Sequence, residues 1–184
     1  GGKPYADLLR ERVFVPAGMT ASRFDLPPEA QANALQGHFF DGSPMPFAPT
    51  PETIECAGGL YATADDMTAW MRWLLSDAAD GSQETRAIDR AAWLWRDGLS
   101  PVSGLDDGGG DMDAMGAAWV IRLPEGNLPL TINKTGGLQG VFSYVILAPG
   151  RGAGVFAAMN KFDVAGFSAM VAAAEGLLKD IAPR

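Results

Sequence analysis

The most informative five residues of this chain read Asn133-Lys134-Thr135-Gly136-Gly137. They lie at the end of one apolar run and just before another, Val141 to Ala148. The β-branched and aromatic residues on both sides predict two strands, and the glycines predict the connection between them. A strand that carries a lysine, a hydroxyl and two glycines to its edge can hold an anion beside a reacting carbonyl group.

Two interpretations of this stretch are open at the level of the residues. In the first, Gly136 and Gly137 let a substrate approach the main chain closely. In the second, the segment is an ordinary glycine-rich hairpin with a solvated lysine, since a Lys-Thr-Gly tripeptide is short enough to occur by chance. The rest of the chain has to decide between them.

Length and charge bound the class of protein. A chain of 184 residues with 47% hydrophobic residues is long enough for one domain with a buried core. The net charge of −8 argues against nucleic acid or an anionic membrane as the main partner. No apolar run approaches the roughly 18 residues of a membrane span, so we expect no membrane-spanning segment in these residues.

Three features that could suggest other chemistry are interpreted structurally. Cys56 is the single cysteine, which rules out an internal disulfide, and we expect it to be a small buried packing residue. His38 is the single histidine and is expected to be a packing or surface residue. Asp106, Asp107, Asp111 and Asp113 lack the spacing of a calcium-binding EF-hand loop and are expected to be solvated. We therefore predict no metal and no cofactor.

The order of elements predicts an α/β protein of the α+β type, with an antiparallel sheet flanked by helices. Residues 1–114 read mainly as helices and loops, and residues 115–184 as antiparallel strands followed by a C-terminal helix. Thr63 is expected to cap a helix whose buried face is formed by Met67, Trp70, Met71 and Leu74. The other predicted helices are 4–13, 85–95 and 164–181, and the predicted strands are 117–122, 128–133, 141–148 and 154–159.

Two further expectations concern residues outside these main elements. Asp41-Gly42-Ser43 is a plausible turn between two short extended pieces. The apolar stripe of the C-terminal helix is expected to be buried against the sheet. Its members are Val164, Phe167, Met170, Val171, Ala174, Leu177, Leu178 and Ile181.

Three blocks in order resemble the penicillin-recognising serine hydrolases, which include class C β-lactamases, D-alanyl-D-alanine carboxypeptidases and related esterases and D-aminopeptidases. The blocks are residues 13–19, residues 58–67, and the region from Lys134 to Lys161; the weakest match lies at about residues 76–115. The resemblance implies a β-lactamase/transpeptidase-like fold. It also implies that residues 1–184 are the C-terminal portion of one such domain, incomplete at the N-terminus.

The resemblance assigns roles to matched positions. Lys134 would supply positive charge in the catalytic network, and the N–H of Gly137 would stabilise an oxyanion. Thr135 would hydrogen-bond a substrate carboxylate, and Gly136 would keep the strand edge clear. Asn160 would be a substrate-binding residue at the rim, although a strand-end turn role is an equal alternative.

Two further family motifs are missing from this chain. None of its serines is followed three residues later by lysine, and no Tyr-x-Asn or Ser-x-Asn element is present. A serine hydroxyl needs a neighbouring base to become nucleophilic, so we expect these residues alone to be inactive. By resemblance, a complementary N-terminal segment of the same protein would supply both motifs and would be the partner of this chain.

The substrate implied by the resemblance is a small molecule or peptide, namely a β-lactam, a D-alanyl peptide or a related ester. The resemblance also implies a periplasmic location, although the first residues show no signal-peptide pattern. A rival hypothesis is a non-catalytic relative of the same fold that uses the cleft beside Lys134 to bind a peptide or another subunit.

Overall fold

A computed structural model describes residues 2–78, 80–98 and 112–184. They form a six-stranded sheet in which the strands lie side by side in sequence order. The strands are Leu94–Trp95 (β1), Ala114–Met115 (β2), Val120–Arg122 (β3), Thr131–Leu138 (β4), Val141–Ala148 (β5) and Ala153–Met159 (β6). The helices are Tyr5–Leu9 (α1), Val15–Ala17 (α2), Pro28–Gln31 (α3), Ala64–Leu75 (α4), Gln83–Arg90 (α5) and Val164–Ile181 (α6).

The architecture confirms the predicted α+β fold with an antiparallel sheet. The pairs β1–β2, β2–β3 and β3–β4 are all antiparallel. The predicted segment 141–148 coincides with β5, and 164–181 coincides with α6. No helix within the described residues is long and apolar enough to cross a membrane.

Tertiary contacts divide the chain into two compact units. The first unit comprises Gly1–Leu74, Thr135–Tyr144 and Phe156–Val171. The second comprises Leu75–Lys134, Val145–Val155 and Ala172–Arg184.

In the first unit, the N-terminal helix is longer than the predicted 4–13. A π-helical segment, Arg10–Phe14, links α1 to α2, and Pro16 lies in α2. Because proline has no N–H to donate, the regular α-helical hydrogen bonding cannot continue unchanged through this point. Gly18 ends the helix in the left-handed conformation with φ 75°. Phe14 and Ala17 of this helical region and Met19, which follows it, are buried and form a small core. Leu9, Val13, Trp70 and Trp73 pack against this core.

The start of α4 confirms the predicted threonine cap. Thr63 Oγ1 accepts a hydrogen bond from the Asp66 N–H at 3.1 Å. Leu74 is buried near the other end of the helix, as expected, whereas Met67, Trp70 and Met71 are only half-buried. Asp66 itself is buried and also binds a loop, since its carboxylate accepts hydrogen bonds from Thr20 N, Ala21 N and Ser22 Oγ at 2.7–3.0 Å.

In the second unit, the predicted helix 85–95 is wrong at its C-terminal end. Helix α5 ends at Arg90, and Ala91 is extended. Trp95 lies in β1 opposite Ala114, and the Trp93 N–H donates to Met115 O at 2.8 Å. Strand pairing therefore overrides the helical spacing of Ile88, Ala91, Ala92 and Trp95.

Helix α5 contains a buried arginine that was not predicted from the sequence. Arg86 is 1% exposed, and its Nη1 lies 2.9 and 2.8 Å from the two carboxylate oxygens of Asp80. Its Nη2 donates to Ala78 O at 2.8 Å. This buried guanidinium holds the segment before α5 in place, because a charge inside a protein is tolerated only when it is paired.

The stripe of α6 is only partly buried. Ala174 and Leu178 are buried as predicted, and Phe167, Met170 and Val171 are half-buried. Val164, Leu177 and Ile181 are exposed, so the expectation that they are buried was wrong.

Candidate active site

The Lys-Thr-Gly sequence lies within a strand. Strand β4 continues from Thr131 to Leu138, so Gly136 and Gly137 belong to the strand and the connection to β5 is formed by Gln139 and Gly140. The predicted end of the strand at Asn133 was therefore wrong. Thr131, Ile132 and Asn133 are buried, whereas Lys134, Thr135 and Gly137 are exposed.

Cross-strand packing explains why glycines continue the strand. A methyl group on Gly136 would lie 2.6 Å from Ser143 Oγ, and one on Gly137 would lie 2.9 Å from Cε1 of the Phe142 ring. Both distances are shorter than van der Waals contact, so the β5 side chains occupy the space that a side chain on β4 would need. Because glycine has no side chain, nothing projects from β4 at these two positions, and Gly137 is exposed.

An aromatic cluster supports the same hairpin in the first unit. The Phe142 ring lies 4.9 Å from the rings of both Phe162 and Phe167, and Phe40 lies 5.6 Å from Phe162. The tilted ring pairs have the geometry that favours aromatic contacts. The Phe142 ring is therefore held in place, and it occupies the space that a side chain at position 137 would need.

The hairpin tip is held by residues that the sequence analysis missed. Gln139 has φ 51° and Gly140 has φ 76°. The Tyr61 hydroxyl donates to Gln139 Oε1 at 2.5 Å, and Gln139 Nε2 donates to Ala48 O at 2.7 Å. The Gln-Gly pair between two predicted strands is the signal that could have predicted this turn. Two-residue hairpins favour positive φ at both positions, and glycine adopts positive φ readily.

Asn160 is held by two contacts within the first unit. Its side-chain Nδ2 donates to Gln36 O at 3.0 Å, and its main-chain O lies 2.8 Å from His38 Nδ1. The His38 main chain also accepts a hydrogen bond from Phe162 N at 3.0 Å. These contacts support the strand-end role for Asn160 and give His38 a structural partner.

The other candidate residues are placed as follows. Cys56 is exposed, so the expectation that it is a buried packing residue was wrong; it lies in a turn of the first unit. Asp41 and Ser43 form the expected turn, in which Asp41 Oδ1 accepts from Ser43 N at 2.9 Å. Asp106, Asp107 and Asp111 lie outside the described residues, and Asp113 Oδ2 accepts from Leu123 N at 2.7 Å. Over the described ranges, no group of three or more His, Cys, Asp or Glu residues could hold a metal.

Tyr61 and Asp66 of the first unit have shifted pKa values. Burial raises the pKa of Tyr61. For Asp66, burial acts to raise the pKa, but the hydrogen bonds from Ser22, Ala21 and Thr20 outweigh it, and the net pKa is lowered. Asp66 is therefore held as a carboxylate.

Sequence comparisons with known proteins give a family and a relative. The Beta-lactamase family model matches residues 1–178. The D-alanyl-D-alanine-carboxypeptidase/endopeptidase AmpH of Escherichia coli K12 is 31% identical over 173 residues, which cover 92% of this chain and 43% of that protein.

Solved structures extend the comparison. A beta-lactamase/D-alanine carboxypeptidase from Yersinia pestis, solved with citrate, is 27% identical with a TM-score of 0.78 and covers 98% of this chain and 50% of its own. A class C beta lactamase from Rhodobacter sphaeroides shares the fold at 19% identity, with a TM-score of 0.67 over 96% of this chain and 54% of its own. The chain thus spans about half the length of the proteins it matches. Because the family model matches residues 1–178 of the 184, this chain belongs to the beta-lactamase family.

Proposed function

We propose that this chain is the C-terminal part of a serine hydrolase that transfers or hydrolyses an acyl group. The observation that carries the proposal is the change in burial along β4, where three buried residues are followed at once by exposed Lys134 and Thr135. Burial in the core does not account for a lysine and a threonine at this place, because both residues are exposed. Membership of the beta-lactamase family supplies the chemical context.

Lys134 and Thr135 recognise the substrate in this proposal. Lys134 provides a cation near the substrate carboxylate and in the network that moves protons. Thr135 donates its hydroxyl hydrogen to the same carboxylate, and hydrogen bonds to charged groups are the stronger class. Gly136, whose missing side chain leaves room for Ser143, keeps the strand edge open to the substrate.

Gly137 stabilises the transition state in this proposal. Its N–H is one of two donors to the oxyanion that forms when the carbonyl carbon is attacked. The second donor is the N–H of the nucleophilic serine, which would come from a complementary segment of the same protein. Removing one such donor typically costs about 10²- to 10³-fold in rate.

The proposed substrates are β-lactams and D-alanyl peptides, with related esters as the third class. AmpH and the Yersinia pestis protein are named for D-alanine carboxypeptidase activity, and the latter also for β-lactamase activity. Both substrate types place a carboxylate close to the reacting carbonyl, which suits a lysine and a hydroxyl followed by an N–H donor on one strand. Asn160 would contribute at the rim, and a periplasmic location would follow from these substrates.

The test uses the full-length protein with a fluorescent penicillin and a peptide that ends in D-alanyl-D-alanine. We expect covalent labelling by the penicillin and release of D-alanine from the peptide. Residues 1–184 alone should show neither activity. A full-length protein that is folded but neither labelled nor able to release D-alanine would support the rival, a non-catalytic relative that binds a peptide or a partner subunit.

A further inference from the structure

The tip of the β4–β5 hairpin contains a residue in an unfavourable backbone conformation. Gln139 is the one non-glycine residue with positive φ in the part of the chain that the structure describes, at 51°. A two-residue hairpin places both turn residues at positive φ, a conformation that glutamine adopts less readily than glycine. Contacts from outside the turn therefore help to hold Gln139 in it.

Tyr61 and Ala48 hold Gln139 from one side. The Tyr61 hydroxyl donates to Gln139 Oε1 at 2.5 Å, and Gln139 Nε2 donates to Ala48 O at 2.7 Å. Tyr61 is itself fixed, because its main chain exchanges hydrogen bonds with Arg23 at 2.8 and 3.0 Å. Both ends of the Gln139 amide are thus bound, and one of the two partners, Tyr61, is itself tied to Arg23.

Gly37 and His38 hold the tip from another side. The His38 N–H donates to Gly140 O at 3.2 Å. A methyl group on Gly37 would overlap Gln139 O, and one on Gly140 would overlap His38 N. The main chains are therefore in direct contact, and the tip has no room to move towards Gly37.

We propose that Tyr61 and Gln139 form a positioning latch that sets the place of the Gly137 N–H for the reaction. This inference rests on the proposed function, in which that N–H stabilises the oxyanion. Gly137 lies two residues before Gln139, in a strand that continues to Leu138. A shift of the tip is transmitted along this short, hydrogen-bonded segment, and a misplacement of about 1 Å can cost up to about 100-fold in rate.

The experiment measures acylation of the full-length protein by a chromogenic β-lactam. Tyr61→Phe removes the hydroxyl, Gln139→Met removes both amide contacts, and the double variant combines them. Tyr5→Phe and Gln31→Met are the matched controls, since they remove a hydroxyl and an amide elsewhere in the same unit. We expect each latch variant to lower the acylation rate constant about 3- to 30-fold with KM nearly unchanged, and the controls to leave it unchanged.

The double variant separates a shared contact from two independent effects. If the two side chains act through one hydrogen bond, the double variant is about as slow as the slower single variant. A merely structural role would lower the thermal midpoint and leave the rate constant of the folded protein unchanged. Should Gln139→Met fail to fold, Gln139→Gly serves in its place, because glycine tolerates the positive φ.

Two outcomes would overturn the latch, and they are distinguishable. If the wild-type protein is neither acylated by the β-lactam nor able to release D-alanine from the peptide, the proposed function is rejected, and the latch is rejected with it. If the wild-type protein is acylated and Tyr61→Phe reacts equally fast, or the two single effects multiply in the double variant, only the latch is rejected. Slower acylation in both single variants without further loss in the double variant supports it.

Discussion

The two halves of β4 differ in what surrounds their side chains. Thr131, Ile132 and Asn133 are buried, and the Asn133 side chain donates to Val120 O at 3.3 Å across the strand pair. Lys134 and Thr135 follow directly and are exposed. One continuous strand thus changes from core to surface between two neighbouring residues.

This difference separates residues that stabilise the fold from residues that are available for chemistry. Substitution in the buried half should change the free energy of unfolding and leave the rate constant of the folded protein intact. Substitution of exposed Lys134 or Thr135 should do the reverse. The experiments below test this separation, from the largest expected effect to the smallest.

The largest effect is expected for Ile132→Ala in the buried half. The Ile132 side chain is 1% exposed, and removing its methyl and methylene groups leaves a cavity. The expected loss is about 2–5 kcal/mol in the free energy of unfolding. Urea unfolding of the full-length protein measures it, with Leu138→Ala at the exposed end of the strand as the control, which should change by less than about 0.5 kcal/mol. Equal losses in both variants would contradict the comparison.

The next effect is expected for Lys134→Ala in the exposed half. If Lys134 acts on the transition state, the acylation rate constant should fall about 10²- to 10³-fold, which is the scale of losing one preorganised electrostatic group. The thermal midpoint should hardly change, because the side chain is exposed. Lys179→Ala, in the last turn of α6, is the control for loss of one positive charge. Acylation of Lys134→Ala at the wild-type rate would reject the proposed role.

The sequence predicted the parts of this fold in which local pattern and packing agree. Strand β5 has the predicted limits, and its residues from Tyr144 to Ala148 are buried in one run. Helix α6 also has the predicted limits, although only Ala174 and Leu178 of its stripe are buried. The segment 91–95 has helical spacing as well, but its backbone pairs with β2, and no local pattern shows that partner. Long-range pairing is what the sequence analysis could not supply.

For the candidate site, local residues again predicted one part and not another. Its position was predicted from the Lys-Thr-Gly residues and the resemblance, whereas the reason for the glycines was not. Gly136 and Gly137 face Ser143 and Phe142, and only the strand register shows that these side chains occupy the space. The contact of Gln139 with Tyr61 joins residues 78 positions apart, which a single sequence does not reveal.

A third prediction concerns Asp66, a buried polar residue that serves the fold. Its carboxylate binds three donors in the loop 20–22, and Asp66→Asn places an amide hydrogen opposite at least one N–H group. The expected loss is about 1.5–3 kcal/mol in the free energy of unfolding, the scale for a hydrogen bond to a charged group. Urea unfolding measures this loss, and Asp65→Asn in the same helical turn is the control. Similar stability of Asp66→Asn and wild type would show that the loop does not depend on the charge.

The pH dependence of stability tests the same carboxylate. The pKa of Asp66 is lowered in the folded protein, so the folded state binds the proton less readily than the unfolded chain. The stabilisation is therefore complete above the ordinary aspartate pKa of about 3.9 and is lost as the pH falls below it towards the lower folded value. In Asp66→Asn this part of the acid sensitivity should disappear. An unchanged acid limb of the stability profile would contradict the assignment.

The smallest effect is expected for Gly136→Ala, and it decides why glycine occupies the boundary of β4. The added methyl group would lie 2.6 Å from Ser143 Oγ but 4.0 Å from Ser143 Cβ. The single variant should lose about 1–3 kcal/mol of stability, the scale of overpacking, and Gly136→Ala/Ser143→Ala should regain most of it because the clashing oxygen is gone. Chemical unfolding and acylation are then measured on the same samples. If the double variant regains stability and still acylates slowly, Gly136 also serves close approach of the substrate. If stability and acylation both return, cross-strand packing alone explains the glycine, and Gly136 serves the fold although it follows the exposed Lys134 and Thr135.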